Sequence, residues 1–448
     1  MKAPRYLSFQ ALSLVLVFAL LAGCSESFMA EDDIEAQEQL LSQTKLRHSK
    51  FLSRAKRLGK DGSELNVIIS TLEAQKVIER FKVLERYKVL ERYEYDDAMD
   101  GVAISVIDES GEDNFEEFFA LLDSDPDVAW YEPDFKLWAP DAYAKMASET
   151  ELVPWGVRAV NADGDWSASS RRKQKVHVYV VDSGIEHSDL NVVERVDFLK
   201  GSNENGDEGG DEDGDPDGHG THVAGIIGAI EDGDHVVGVA PGVQLHDFRV
   251  LGADGSTDVS VVIAAVERIT EEKLANSKQA MVVNMSLGEN IGTSSFTALD
   301  EAIEASIAAG VIYVVASGNY GDDAENVTPA HVGGAITVGA YDESGYHAWF
   351  SDAGSLLDVY APGVDILSLE AGGSLQMMSG TSMAAAHVTG IVARILADDY
   401  RASPSKVASL ITSRASDLIF GVPAGTTDEG AEIVPCPERD DGVCEWDG

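Results

Sequence analysis

The sequence predicts an α/β protein: a mostly parallel sheet covered by helices on both faces, preceded by a small α+β unit. The first observation behind this is that, from about residue 153 onward, continuous apolar runs at 176–181, 244–250, 280–284 and 311–315 read as strands. The second is that helical patterns at 259–274 and 296–309 fall between those runs. Strands that are apolar throughout and separated by helices belong in a parallel sheet buried on both faces, and such sheets carry their sites at the carboxyl ends of strands. The third is size, because 448 residues exceed one ordinary domain and 44% apolar residues suffice for a packed core.

In chain order, Lys2 and Arg5 precede an apolar run at 12–21, which has the architecture of an export signal and is too short to remain as a membrane span. Its end, Leu21-Ala22-Gly23-Cys24, resembles the cleavage box of bacterial lipoproteins. That resemblance implies a signal peptide over 1–23 and a lipid on Cys24, so that the precursor meets a membrane only through this anchor. Residues 24–62 are a polar tether in which Leu40, Leu41, Leu46 and Leu52 offer at best a frayed amphipathic helix. Short apolar strands at 65–69 and 102–107, with a helical stretch at 114–122, then predict a small β-α sandwich. Within it a six-residue pattern recurs over 79–93 as Glu-Arg-Phe-Lys-Val-Leu, Glu-Arg-Tyr-Lys-Val-Leu and Glu-Arg-Tyr, too few copies for a solenoid. At the far end Cys436 and Cys444 are spaced to close a small disulfide loop in an exported chain, or else stand as two thiols.

Charge narrows the partners. With 33 basic and 78 acidic residues the formal net charge is -45, a field that repels polyphosphate backbones, so nucleic acid is excluded as the expected partner. Acidity of this degree serves solubility, the collection of divalent cations, or both.

Chemistry concentrates at three element ends. The run at 176–181 leads into Asp182 before Ser183-Gly184; Gly218-His219-Gly220-Thr221-His222 opens an apolar helix; Gly380-Thr381-Ser382-Met383 heads another. Alone, Asp182 reads equally well as a helix-capping aspartate. Together the three form a set: a serine hydroxyl is a weak nucleophile until a neutral imidazole takes its proton, and the imidazole needs a carboxylate to fix its tautomer and stabilise its charge. These blocks resemble the signature segments of the subtilisin-like serine proteases (peptidase S8, proteinase K-like), in the family's chain order Asp, His, Ser. The resemblance covers roughly residues 153–427. It implies a subtilisin-like fold and a secreted serine endopeptidase that cleaves protein or peptide substrates through an acyl-enzyme intermediate, with Asp182, His219 and Ser382 as the catalytic residues. An inactive scaffold of this fold would show a lost triad residue, and none is lost. His222, three residues after His219, lacks the intervening glutamate of a zinc-peptidase motif and reads as a structural helix residue.

The same resemblance implies further roles. Asn319, in Ala316-Ser317-Gly318-Asn319, matches the family's oxyanion donor, with the backbone N–H of Ser382 as its partner. Gly255-Ser256 and Ser286-Leu287-Gly288 match the two segments that grip extended peptide. Thr257, Glu289 and Ala386 depart from the family's usual glycine, glycine and proline; Glu289 either biases the pocket toward basic side chains or faces solvent. Residues 125–134 resemble the end of an inhibitory propeptide, which implies a ferredoxin-like propeptide over 63–140 that inhibits its own enzyme. Self-cleavage is then expected near 138–150, with a catalytic domain over 141–427 and an acidic tail over 428–448. The mature enzyme is expected to be a monomer, extracellular or periplasmic. A structural calcium is expected at Asp358 with the carbonyls of Gly333 and Ala335. The acidic run at 207–217, through Asp211, Asp213 and Asp215, is either a second calcium site or a solvated insert.

Overall fold

The computed structural model describes residues 64–82, 87–95, 97–108, 115–134, 136–138, 142–146, 151–163, 166, 175–199, 214–292, 296–415 and 417–433. All lie in one unit, Phe51–Gly448. Cys24, Asp211, Asp213, Cys436 and Cys444 fall outside the described residues, as do the signal, the tether and most of the acidic tail.

The amino-terminal part comprises β1 (Glu64–Ser70), α1 (Ala74–Lys82), β2 (Tyr87–Tyr95), β3 (Gly101–Asp108), α2 (Glu116–Ser124) and β4 (Trp130–Pro133). Its four strands form an antiparallel sheet in the order β2-β3-β1-β4. The sheet's small core joins Val67, Ile69, Val102 and Ile104 to Val77, Phe81 and Phe118 of the two helices. The six-residue pattern at 79–93 does not give a repeated structure. Its first copy lies in α1 through Lys82, whereas the later residues lie in β2, so neighbours rather than local sequence decide the conformation. Two short strands follow, β5 (Lys136–Trp138) and β6 (Ala142–Met146).

The larger part begins with α3 (Trp155–Ala159), β7 (Val176–Asp182), β8 (Val192–Asp197), α4 (His219–Gly228), β9 (Gln244–Arg249), β10 (Ser256–Asp258), α5 (Val259–Ala275), β11 (Ala280–Met285), β12 (Glu289–Asn290) and α6 (Ala298–Ala309). It continues through β13 (Ile312–Ala316), β14 (Val327–Thr328), β15 (Ile336–Tyr341), β16 (Val359–Pro362), β17 (Ile366–Glu370), β18 (Ser374–Met378), α7 (Thr381–Asp398), α8 (Pro404–Arg414), β19 (Asp417–Leu418) and β20 (Glu429–Gly430). The main sheet runs β19-β20-β16-β15-β13-β11-β7-β9-β8, and every neighbouring pair is parallel except β19 with β20. Along β7 the alternation of side chains separates two cores: Val176, Val178 and Val180 pack with α4 and α7, while Tyr179 and Val181 pack with α5 and α6. Burial on both faces explains why these strands are apolar throughout.

The carboxyl boundary extends beyond 427. Beta-strand β20 pairs with β16, Ala431 N donates to Tyr360 O, and Ile433 N donates to Val160 O, so the fold runs to residue 433. No helix among the described residues is long and apolar enough to cross a membrane.

Candidate active site

The sheet delivers Asp182 to its carboxyl edge as the last residue of β7. His219 opens α4 and Ser382 stands in the first turn of α7, and these two helices pack against each other. All three side chains are buried. His219 Nδ1 lies 2.7 Å from Asp182 Oδ1, which also accepts Ser183 N–H at 2.8 Å. That contact fixes the tautomer and leaves Nε2, which has no hydrogen-bond partner, free to act as a base. Burial disfavours the His219 imidazolium, but the charge and hydrogen bond of Asp182, with Asp217 and Asp215 behind it, outweigh burial and hold the pKa above the ordinary histidine value.

The third link differs. The Ser382 hydroxyl donates to the carbonyl of Ser286 at 3.2 Å instead of to His219. Catalytic hydrogen bonds of this kind commonly form only once substrate is seated.

Glycine makes the approach of α4 possible. A Cβ at Gly220 would lie 2.2 Å from Gly184 O and 3.1 Å from Asp182 Cβ, so any side chain there would push the histidine helix off its aspartate. Asp215 secures the same turn. Its Oδ1 accepts the Ser183 hydroxyl at 2.7 Å and Gly218 N at 2.9 Å, and its Oδ2 accepts Thr221 N at 2.7 Å. With both oxygens engaged by donors at a helix start, it braces α4.

Asn319 follows β13. Its Oδ1 accepts both N–H and hydroxyl of Thr381, at 2.9 and 3.0 Å, which leaves the amide NH2 as the available donor beside Ser382. Asp352, which sequence reasoning missed, sets this turn: its Oδ1 accepts Tyr320 N at 3.0 Å and Asp322 N at 2.7 Å. A Cβ at Gly318, where φ is +112°, would lie 2.1 Å from Asp352 Oδ2. Burial pushes Asp352 up to about 6 despite those N–H donors.

Next to Ser382 is a cavity of about 170 Å³ between the segments Ser286–Gly288 and Gly318–Tyr320, with Ala316 and Val327 in its lining. Glu289 lies at the rim on β12, where the Tyr320 hydroxyl approaches it at 3.4 Å. Ser256, after Gly255, begins β10, and β10 pairs antiparallel with β5, Ser256 opposite Trp138 and Thr257 opposite Leu137. Leu137 is completely buried in the core shared with α5 and α6. Ala386 is buried within α7. His222 is structural, as expected: its Nε2 lies 3.0 Å from the carbonyls of Ile366 and Gln376, and burial takes its pKa down to about 3.

Two places suit calcium. Asp358 accepts Thr337 N at 2.8 Å through Oδ2, with its pKa raised by burial. A second, unforeseen place is stronger in chemistry. Asp189 is 5% exposed and neither of its carboxylate oxygens has a hydrogen-bond partner. Burial, then Asp232, Asp234 and Glu151, pushes it up to about 7 while His235 opposes them. An orphaned buried carboxylate within electrostatic reach of further carboxylates has the chemistry that a hard, oxygen-seeking cation satisfies. The signal was present in His187-Ser188-Asp189-Leu190 and Asp232-Gly233-Asp234, which only the fold brings together.

The amino-terminal part is anchored to the starts of α5 and α6 by polar side chains. Glu132 Oε1 accepts Ala298 N at 3.0 Å at the start of α6, and Asp134 Oδ1 accepts Ser260 N at 2.8 Å at the start of α5. Carboxylates suit the positive ends of two helices. Arg92 bridges Asp134 and Asp258 at 2.6 and 2.9 Å.

A parallel sheet that brings an aspartate, a histidine and a helix-opening serine to one edge, beside a peptide-sized groove, defines the class of serine peptidases. A model of the subtilase family, Peptidase S8, matches residues 173–432. The chain is 36% identical over 273 residues to subtilisin DY of Bacillus licheniformis, covering 60% of this chain and 93% of that one. It is 39% identical over 324 residues to an extracellular serine proteinase of Thermus sp. (strain Rt41A), covering 71% of each. A crystal structure of a cold adapted subtilisin-like serine proteinase superposes with a TM-score of 0.50 and 32% identity, over 63% of this chain and 98% of that one. The chain belongs to the subtilase family and is a subtilisin-like serine protease.

Proposed function

We infer that the protein is an exported endopeptidase made as a precursor that cuts itself, with Asp182, His219 and Ser382 as its triad. The buried Asp182–His219 contact beside the head of α7 carries this reading. In the proposed reaction His219 Nε2 takes the Ser382 proton as Oγ bonds to the scissile carbonyl. Charge developing on the carbonyl oxygen is met by the Asn319 amide and the Ser382 N–H. Collapse breaks the C–N bond, His219 passes its proton to the leaving amine, and water repeats the sequence to release the acid.

Self-processing rests on how the chain crosses the site. Strand β5 lies on β10 in the manner of a bound peptide, and β6 pairs antiparallel with β18, whose last residue Met378 is four before Ser382. Residues 139–141, which join β5 to β6, are outside the described residues, and the self-cut is proposed between Trp138 and Ala142. Residues 63–140 then serve as inhibitor, held by Glu132, Asp134 and Arg92. A lipid on Cys24 would leave with that segment, so cleavage frees the enzyme from the membrane unless the segment stays docked. Calcium, at Asp189 and at Asp358, is proposed as the structural cofactor.

Ser382→Ala tests self-processing. The substituted chain should persist as a membrane-associated precursor of nearly full length, while the parent yields a fragment whose new amino terminus lies at 139–142. Normal cutting of the Ser382→Ala chain would assign the processing to another protease.

A further inference from the structure

A mixed imidazole-carboxylate cluster lies on the main sheet at the level of Tyr179, midway along β7. His246 on β9 stands in register with Tyr179 of β7 on one side and Glu194 of β8 on the other. Its Nδ1 lies 2.6 Å from Glu194 Oε2. Glu272 descends from α5, and single ligand atoms of Glu194, His246 and Glu272 all lie within 4.8 Å of one another. His246 is level with Tyr179, three residues before Asp182 on β7, so at about 3.3 Å per residue the cluster is roughly 10 Å along the strand from the catalytic edge.

We propose that Glu194, His246 and Glu272 form a structural site for a divalent transition metal ion of the zinc type, clamping β8, β9 and α5 together. The donor set supports this class: one imidazole nitrogen with two carboxylates suits borderline ions, whereas calcium takes oxygen alone. The outer contacts match those that orient metal ligands. A ring ligating through Nδ1 carries its hydrogen on Nε2, and His177 Nδ1 waits 2.8 Å from that nitrogen. The Tyr179 hydroxyl donates to Glu272 Oε2 at 2.6 Å, and its ring stacks on His246 with centroids 4.3 Å apart. Arg268 approaches the remaining oxygens, Glu272 Oε1 at 2.8 Å and Glu194 Oε1 at 3.5 Å. Its side chain is 41% exposed, so it neutralises the carboxylates when no ion is present and can withdraw into solvent when one binds.

Zinc chloride titrated by calorimetry into the full-length Ser382→Ala chain, with excess calcium filling oxygen-only sites, tests the proposal. One zinc ion should bind per chain with a rise in Tm, and His246→Ala and the isosteric Glu272→Gln should each weaken binding at least about tenfold. Cobalt in place of zinc should give visible absorption bands that both substitutions abolish. Absence of zinc binding by the parent chain, or zinc binding undiminished in Glu272→Gln, overturns the proposal and leaves an ion-pair network centred on Arg268.

Discussion

His219 works in a field set by three carboxylates. Asp182 bonds to it directly, while Asp217 and Asp215 act through space, and together they overcome the burial that would otherwise favour the neutral ring. A base with a raised pKa is protonated, and so inactive, to a higher pH than usual. Replacing Asp217 by Asn removes one contribution that raises the pKa, so the neutral imidazole should persist further into acid. The acid limb of the kcat/KM profile should therefore move to lower pH, with the plateau little changed. Asn319→Ala should lower kcat about 10²- to 10³-fold, the loss documented for the equivalent donor in subtilisin, with little change in KM. Single-turnover kinetics on a peptide ester would measure it. At this scale the sequence was most legible where chemistry demands fixed residue types: Asp182, His219, Ser382 and Asn319 all stand at element ends. Asp352 and Asp189 were not legible, because an aspartate in a turn looks the same whether it caps a helix, braces an oxyanion donor or awaits a cation. Only its neighbours in space distinguish these roles, and Asp215 shows as much, with both its oxygens holding donors at the start of α4.

Among elements, periodicity identified the buried strands and the long helices because a sheet covered on both faces leaves unbroken apolar runs. It said nothing about β5, β6, β10 or β18, which are short and gain their conformation from pairing with each other. The pattern over 79–93 carries the same lesson, since near-identical segments end as helix and strand according to what each packs against. Loops that meet only in the fold also explain why the calcium site proposed at Asp189 escaped notice. Asp189 follows β7, Asp232 and Asp234 follow α4, and Glu151 comes from before α3; Glu151 Oε1 already accepts Asp232 N and Gly233 N at 3.0 Å. Calcium at about 100 times its dissociation constant should add about 2.7 kcal/mol to stability. Calorimetry on the Ser382→Ala chain should show Tm falling when calcium is chelated. Asp189→Asn should abolish most of that response while melting no lower than the chelated parent, since it removes an uncompensated buried carboxylate. An unchanged calcium response in Asp189→Asn would assign the effect to Asp358 or elsewhere.

Considered whole, the molecule joins an antiparallel unit of its own to a parallel-sheet protease, and the short strands β5 and β6 that follow the unit pair with β10 and β18 of the protease. The acidic composition did not reveal how the two parts dock, because the docking depends on a few polar groups in particular places: Glu132 and Asp134 at two helix starts, with Arg92 between Asp134 and Asp258. Such placement depends on register and packing across residues far apart in sequence. The central claim is that the hydroxyl of Ser382 becomes nucleophilic because His219, oriented by Asp182, can receive its proton. The most direct measurement is mass-spectrometric mapping after treatment with a serine-directed fluorophosphonate. The folded, processed protein should carry one adduct, on Ser382, and His219→Ala should lose it. A processed, folded chain that remains unlabelled at Ser382, or labels equally well without His219, would contradict the account.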